Sequence, residues 1–134
     1  MKCIILADLH LDMYLNRNLN PFARAPAAKF EGITHCIIAE DLSNKAHKQW
    51  NRCLPWLAEQ FRGAKLYVLP GNHDYYDGQI DDEERLAEVA EVNDAVFVQK
   101  SELILGQHRF LFATLWTDFE ICLLYTSPSP RDRG

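Results

Sequence analysis

Three short apolar runs, each breaking off into carboxylate, imidazole or amide residues, restrict this chain more than any other feature of its sequence. Residues Lys2 to Ala7 lead into Asp8-Leu9-His10, Ile33 to Ala39 lead into Glu40-Asp41, and Lys65 to Leu69 lead into Pro70-Gly71-Asn72-His73-Asp74. Apolar runs of this length, bounded by turn residues, read as strands. Asp8 and Asp41 lie 33 residues apart, and Asp41 and Asn72 lie 31 apart. Each gap has room for the helical crossover that parallel neighbours require. The pattern predicts an α/β fold in which three strands deliver Asp8, His10, Asp41, Asn72 and His73 to one sheet edge, where open α/β sheets bind ligands. The nearly unbroken apolar run at residues 2–7 further predicts a strand covered on both faces.

The third junction is the densest. Pro70 removes a backbone donor and Gly71 permits positive φ, so together they stop the strand and turn the chain, aiming the next three side chains outward. Taken alone, an ordinary Pro-Gly-Asn turn explains it equally well. Asp8 and Asp41 alone read equally as ordinary strand-end carboxylates, and His10 as a loop histidine. What favours chemistry is their joint arrival at three successive strand ends. The other histidines read as structural: His35 sits inside the second strand, His47 on a helix surface, and His108 at the start of a surface strand. Tyr75 and Tyr76 either line a substrate pocket or pack the loop.

Between these junctions, Leu11 to Phe30 carries Asn16, Asn18, Asn20, Pro21 and Pro26, which predicts a long loop with one short helix lying over the site opening. Ser43 or Asn44 is placed to cap the next helix. Ala46, Trp50, Cys53, Leu54, Leu57 and Phe61 recur at helical spacing and give it one apolar stripe. Pro55 predicts a kink there, or the start of a second helix. Trp50 and Trp56 read as core and rim packing, because no basic residues interleave with them as a nucleic-acid platform needs. Asp81 with Glu84 predicts a capping box for a helix through Val92, its acidic start favoured by the helix dipole. Three β-like runs follow, Ala95 to Gln99, Glu102 to Leu105 and Arg109 to Leu115, the last two joined as a hairpin by Gly106-Gln107.

With 134 residues, 48% of them hydrophobic and 25% charged, the chain suits one globular domain. Its net charge of −5 gives no strong signal for nucleic acid or an anionic membrane. A nuclease is not excluded, since bound metal ions supply local positive charge. Cys3, Cys36, Cys53 and Cys122 are scattered and mostly sit in apolar segments, which predicts reduced core thiols. No run resembles a secretory signal or a membrane span, so the expected location is cytoplasmic.

Carboxylates, imidazoles and an amide oxygen suit divalent Mn, Fe or Zn, and one Asp between two ions can bridge them. Two such ions clamp a phosphoryl group and acidify water, while a neighbouring His can protonate the leaving oxygen. The set Asp8-x-His10, Asp41 and Gly71-Asn72-His73-Asp74 resembles the calcineurin-like metallophosphoesterase superfamily, whose ordered motifs are Asp-x-His, Gly-Asp, Gly-Asn-His-Asp or Glu, a later lone His, and Gly-His-x-His. The resemblance implies that Asp8 and His10 hold a first metal, Asp41 bridges, Asn72 holds a second, His73 acts on the leaving group and Asp74 orients His73. It implies a metal-dependent phosphoester hydrolase acting on a small-molecule or nucleotide phosphoester, by in-line attack of a metal-bridging hydroxide. The implied architecture is the amino-terminal half of a four-layer α/β/β/α sandwich with a mixed sheet. Phe112 to Phe119 resembles the strand and turn that bacterial members carry after the third motif.

Two departures stand out. Glu40 occupies the position where the family has Gly, in a turn suited to a glycine conformation. The lone His and the Gly-His-x-His have no counterpart after His73, where His108 is the only histidine, so weak metal binding and poor turnover are expected of this chain. Residues 123–132 resemble translated sequencing-adapter sequence, and residues 126–134 are turn-rich and basic. The expectation is a partial metallophosphoesterase domain over residues 1–121 and a disordered, non-native tail over 122–134. Two rivals are a non-catalytic α/β module whose Asp8 and Asp41 bind one Mg²⁺, and a degenerate scaffold marked by Glu40.

Overall fold

The three expected strands form at Cys3–Ala7 (β1), His35–Ala39 (β2) and Lys65–Leu69 (β3), and Ala95–Phe97 (β4) adds a fourth. This is a computed structural model, and it describes residues 1–75 and 83–114. The sheet runs β1-β2-β3-β4, and every neighbouring pair is parallel. Ala7 pairs with Ala39 and Ala39 with Leu69, so the first three strands finish flush. That register sets Asp8, Glu40 and Pro70 side by side at the carboxyl edge.

The crossovers are helical as expected. Leu11–Asn16 (α1) opens the segment after β1, and Ala46–Gln60 (α2) links β2 to β3. Glu83–Val92 (α3) precedes β4, while Asp81, the other half of the expected capping box, lies outside the described residues. The apolar stripe of α2 is realised in full, with Ala46, Trp50, Cys53, Leu54 and Leu57 all completely buried. They pack with Cys36, Ile38, Leu66 and Val68 of the sheet and with Leu86 and Ala90 of α3. Each fully buried Leu of that set contributes about 1.5–3 kcal/mol.

Pro55 neither ends α2 nor starts a second helix, because one helix runs through it. Pro55 itself is exposed while Leu54 and Leu57 are buried, so packing on the opposite side holds the helix together across the missing hydrogen bond. The expected caps are also corrected. The residue preceding α2 is Lys45, in the left-handed conformation and with no side-chain cap.

On the other face of the sheet, Ser101–Leu105 (β5) and His108–Phe112 (β6) form an antiparallel hairpin as a separate sheet. Gly106 turns it at φ +61°, a conformation that costs Gly nothing. Leu103, Phe110 and Phe112 pack with Ile37, Tyr67 and Leu69. Helices, parallel sheet and hairpin thus give the α/β architecture expected, with parallel and antiparallel strands in two sheets. One detail differs: β1 is an edge strand, and its Ile5 is 58% exposed, so among the described residues its second face is not covered.

The segment after α1 is ordered by aromatic contacts. Phe22 stacks on Trp56 and meets Phe30 and Phe61 with centroids 5.4 and 5.5 Å away. Trp56 is therefore rim packing and Trp50 core, as expected. His35 stacks on Tyr67, His47 is half-buried on α2, and His108 is an exposed strand residue. Cys3, Cys36 and Cys53 are free thiols. Cys122, Tyr76, Leu115 to Phe119 and the tail at 122–134 lie outside the described residues.

Candidate metal centre

Past the flush strand ends the pairing does not stop. Asp8 N–H donates to Glu40 O, His10 N–H to Asp41 O, and Leu11 N–H to Leu42 O, while Glu40 N–H donates to Leu69 O. The chain achieves this by turning through the left-handed region at Asp8, His10, Glu40 and Asp41, with φ between 45° and 64°. Such a conformation costs a residue with a Cβ roughly 1–2 kcal/mol. Asp and His adopt it more readily than most, but Glu40 has no such preference. Four strained residues at two adjacent strand ends is a concentration of the kind functional sites carry.

This lacework brings His10, Asp41 and His73 together. Each offers one ligand atom, and these atoms all lie within 4.8 Å of one another. The rings of His10 and His73 meet edge to face, centroids 5.0 Å apart. Asp41 is buried, and its Oδ1 accepts the His73 N–H at 3.0 Å. Gly71 makes this possible by close approach: a Cβ there would overlap Asp41 Oδ1 and sit 2.7 Å from Asp41 N. Its φ is not positive, so the expected reason for a glycine is replaced by a steric one.

Asp8 and Asn72 share the same edge but are exposed. Asp8 is not one of the converging three; it lines a cleft of about 340 Å³ with His10, Met13, Tyr14, Arg17 and Leu19. The segment expected over the site opening therefore does border it, through α1, while its later part packs on Trp56 and Phe61.

Asp74 is placed differently from the expectation. It is fully buried, accepting Ser43 N–H at 3.0 Å and Trp50 Nε1–H at 3.1 Å on Oδ1, and Gly71 N–H at 2.7 Å on Oδ2. It ties the 71–75 turn to α2. Burial pushes its carboxyl up to about 6, the three donors hold it down, and the nearby Asp41 charge adds to the rise. The group set against the His73 ring is instead Asn44, whose Oδ1 faces Nδ1 at 3.0 Å. An acceptor there selects the Nδ1–H tautomer and leaves Nε2 with its lone pair. The sequence placed Ser43 or Asn44 as a helix cap, and no local pattern in it points to the contact with His73.

Two imidazoles and a carboxylate are the borderline donor set that divalent Mn, Fe or Zn accepts. The three converging atoms suit one ion. Ions so held polarise phosphoryl oxygens and acidify water.

Comparison with known proteins agrees with this geometry. The family model described as calcineurin-like phosphoesterase matches residues 1–119. No curated protein and no solved structure matches the chain.

Proposed function

This chain belongs to the calcineurin-like phosphoesterases, and from that membership we propose that its carboxyl sheet edge performs metal-dependent hydrolysis of a phosphoester. The observation that supports this most directly is the convergence of His10, Asp41 and His73 from three separate strand ends. In this reading Asp8 and His10 would hold one divalent ion and Asn72 a second, with Asp41 shared between them, while His73, the third converging group, would act on the leaving oxygen and not as a ligand. When bound, the ions neutralise phosphoryl charge and lower the pKa of water.

The chain's own groups do the rest. Asp41, fixed by the His73 N–H and by the space that Gly71 leaves, presents its carboxylate to the edge. His73 keeps Nδ1–H on Asn44, so Nε2 is the ring nitrogen that takes up a proton and then passes it to the leaving oxygen. Water adds to phosphorus opposite that oxygen and releases a proton, the bond from phosphorus to the leaving oxygen breaks as that oxygen takes the proton on Nε2, and no phosphoenzyme forms. The substrate in this reading is a small-molecule or nucleotide phosphoester whose organic part borders the cleft of Met13, Tyr14, Arg17 and Leu19. A cytoplasmic setting is part of the same reading, supported by the free thiols of Cys3, Cys36 and Cys53. Among the described residues, no helix is long and apolar enough to cross a membrane.

A second reading, a metal-binding scaffold, has one observation in its favour: Glu40 sits at φ +64° where the family places Gly. Mn²⁺-dependent hydrolysis of an aryl phosphate separates the two. The expected outcome is a slow but measurable rate that falls by roughly 10²–10⁴ in His73→Ala and at least as far in Asp41→Asn. Unchanged rates in both variants remove the mechanism, and Mn²⁺ binding with no hydrolysis favours the scaffold.

A further inference from the structure

We propose that Asp12 is a positioning residue for His73, acting through the backbone of Asn44. The inference rests on the reading of His73 as a working group of the site. Asp12 sits in the first turn of α1 and is 6% exposed, so its carboxylate is taken almost wholly out of water. Its Oδ2 accepts the Asn44 N–H at 3.3 Å, a bond between residues 32 apart. Asn44 Oδ1 in turn faces His73 Nδ1 at 3.0 Å. The three residues form one line, from α1 through the turn after β2 to the turn after β3.

The chemistry argues that this line has a purpose beyond packing. Among the described residues no group donates to Asp12 Oδ1, though it is buried. A buried carboxylate with half its capacity unused is unfavourable, and an apolar residue would fill the same space at less cost. What an apolar residue cannot do is accept the Asn44 N–H. That N–H lies just ahead of α2, whose own N-cap supplies no side-chain acceptor, and without Asp12 the Asn44 N–H loses its acceptor, leaving Leu11 N–H to Leu42 O to join α1 to the earlier part of the turn. Arg52 of α2 braces the arrangement from the other side: its Nη2 donates to Asn16 Oδ1 at 2.8 Å and to Asp12 O at 3.4 Å. The α1 helix is thereby gripped at both ends of the contact, and Asp12 is held at a fixed distance from the Asn44 backbone.

The test uses the whole chain without metal or substrate, so its outcome is independent of whether hydrolysis is found. Histidine-selective nitrogen NMR, at a pH where the rings are neutral, reports the tautomer of His73, assigned by loss of its signals in His73→Gln. The wild-type ring is expected in one tautomer, Nδ1–H. Asp12→Ala and the space-filling Asp12→Leu should both lose that preference and show a mixture, as should Asn44→Ala. Asp12→Asn, whose amide oxygen still accepts the Asn44 N–H, should restore it. If Asp12→Ala fails to fold by circular dichroism, Asp12→Leu decides. A wild-type mixture overturns the proposal, as does a single Nδ1–H tautomer retained in a folded Asp12→Leu. Asp12→Asn behaving like Asp12→Leu also overturns it, since a carboxylate needed only for its charge is not a hydrogen-bond anchor.

Discussion

Gly71 shows how narrowly a single residue sets this site. A methyl group at that position would overlap the Asp41 carboxylate from Oδ1 to Cγ, at 2.9 Å, and Asp41 is the group that links the β2 and β3 turns. Gly71→Ala is therefore expected to weaken Mn²⁺ affinity by roughly tenfold or more while circular dichroism shows the fold intact; isothermal titration checks it, and an unchanged affinity contradicts it. The motif residues His10, Asp41 and His73 were legible in the sequence because their types and spacing are chemical. The reasons behind their neighbours were not. Positive φ at Asp8, His10, Glu40 and Asp41 depends on how three strand ends are laced together, which no local pattern reports. Asn44 looked like a helix cap because Asn prefers caps, and only the tertiary fold shows His73 Nδ1 beside it. Asp74 was expected beside the His73 ring, yet its three donors are Ser43, Trp50 and Gly71.

Among the elements, the parallel sheet was readable from the even spacing of three apolar runs, and the hairpin from Gly106-Gln107 between two β-like stretches. The course of α2 was not, since propensity places a break at Pro55 and buried contacts on both sides of it override that break. An exposed proline in a continuous helix still lacks one backbone donor and crowds the preceding turn. Pro55→Ala is accordingly expected to stabilise the chain by about 1–3 kcal/mol, read as a higher urea midpoint with an unchanged slope. A midpoint that stays put or falls would show that α2 is distorted around the ring in a way the alanine cannot use. For β1 the apolar run signals burial on both faces, whereas among the described residues it is an edge strand whose Ile5 faces out.

For the molecule as a whole, the core on the helix side of the sheet determines which thiols can react. Burial pushes Cys36 and Cys53 up to about 12; the Cys3 charge adds to the first, and for Cys53 the Asp12 and Asp74 charges add while Arg52 opposes. A thiol whose folded pKa is raised favours the fold below its ordinary value of 9.0, and that contribution is lost as pH rises from there through about 12. At pH near 9 these two thiols should hold roughly five-hundredfold less thiolate folded than unfolded. Alkylation followed by peptide mass analysis should therefore modify Cys36 and Cys53 only in denaturant; equal rates folded and unfolded would mean the core opens freely. The central claim concerns the other end of the sheet, where three strand ends meet. Its most direct test is Mn²⁺ binding to this chain, followed by electron paramagnetic resonance. Saturable binding that weakens by at least roughly tenfold in both His10→Ala and Asp41→Asn, with helix content preserved, is the predicted result. Absence of binding, or equal binding in all three proteins, would contradict it.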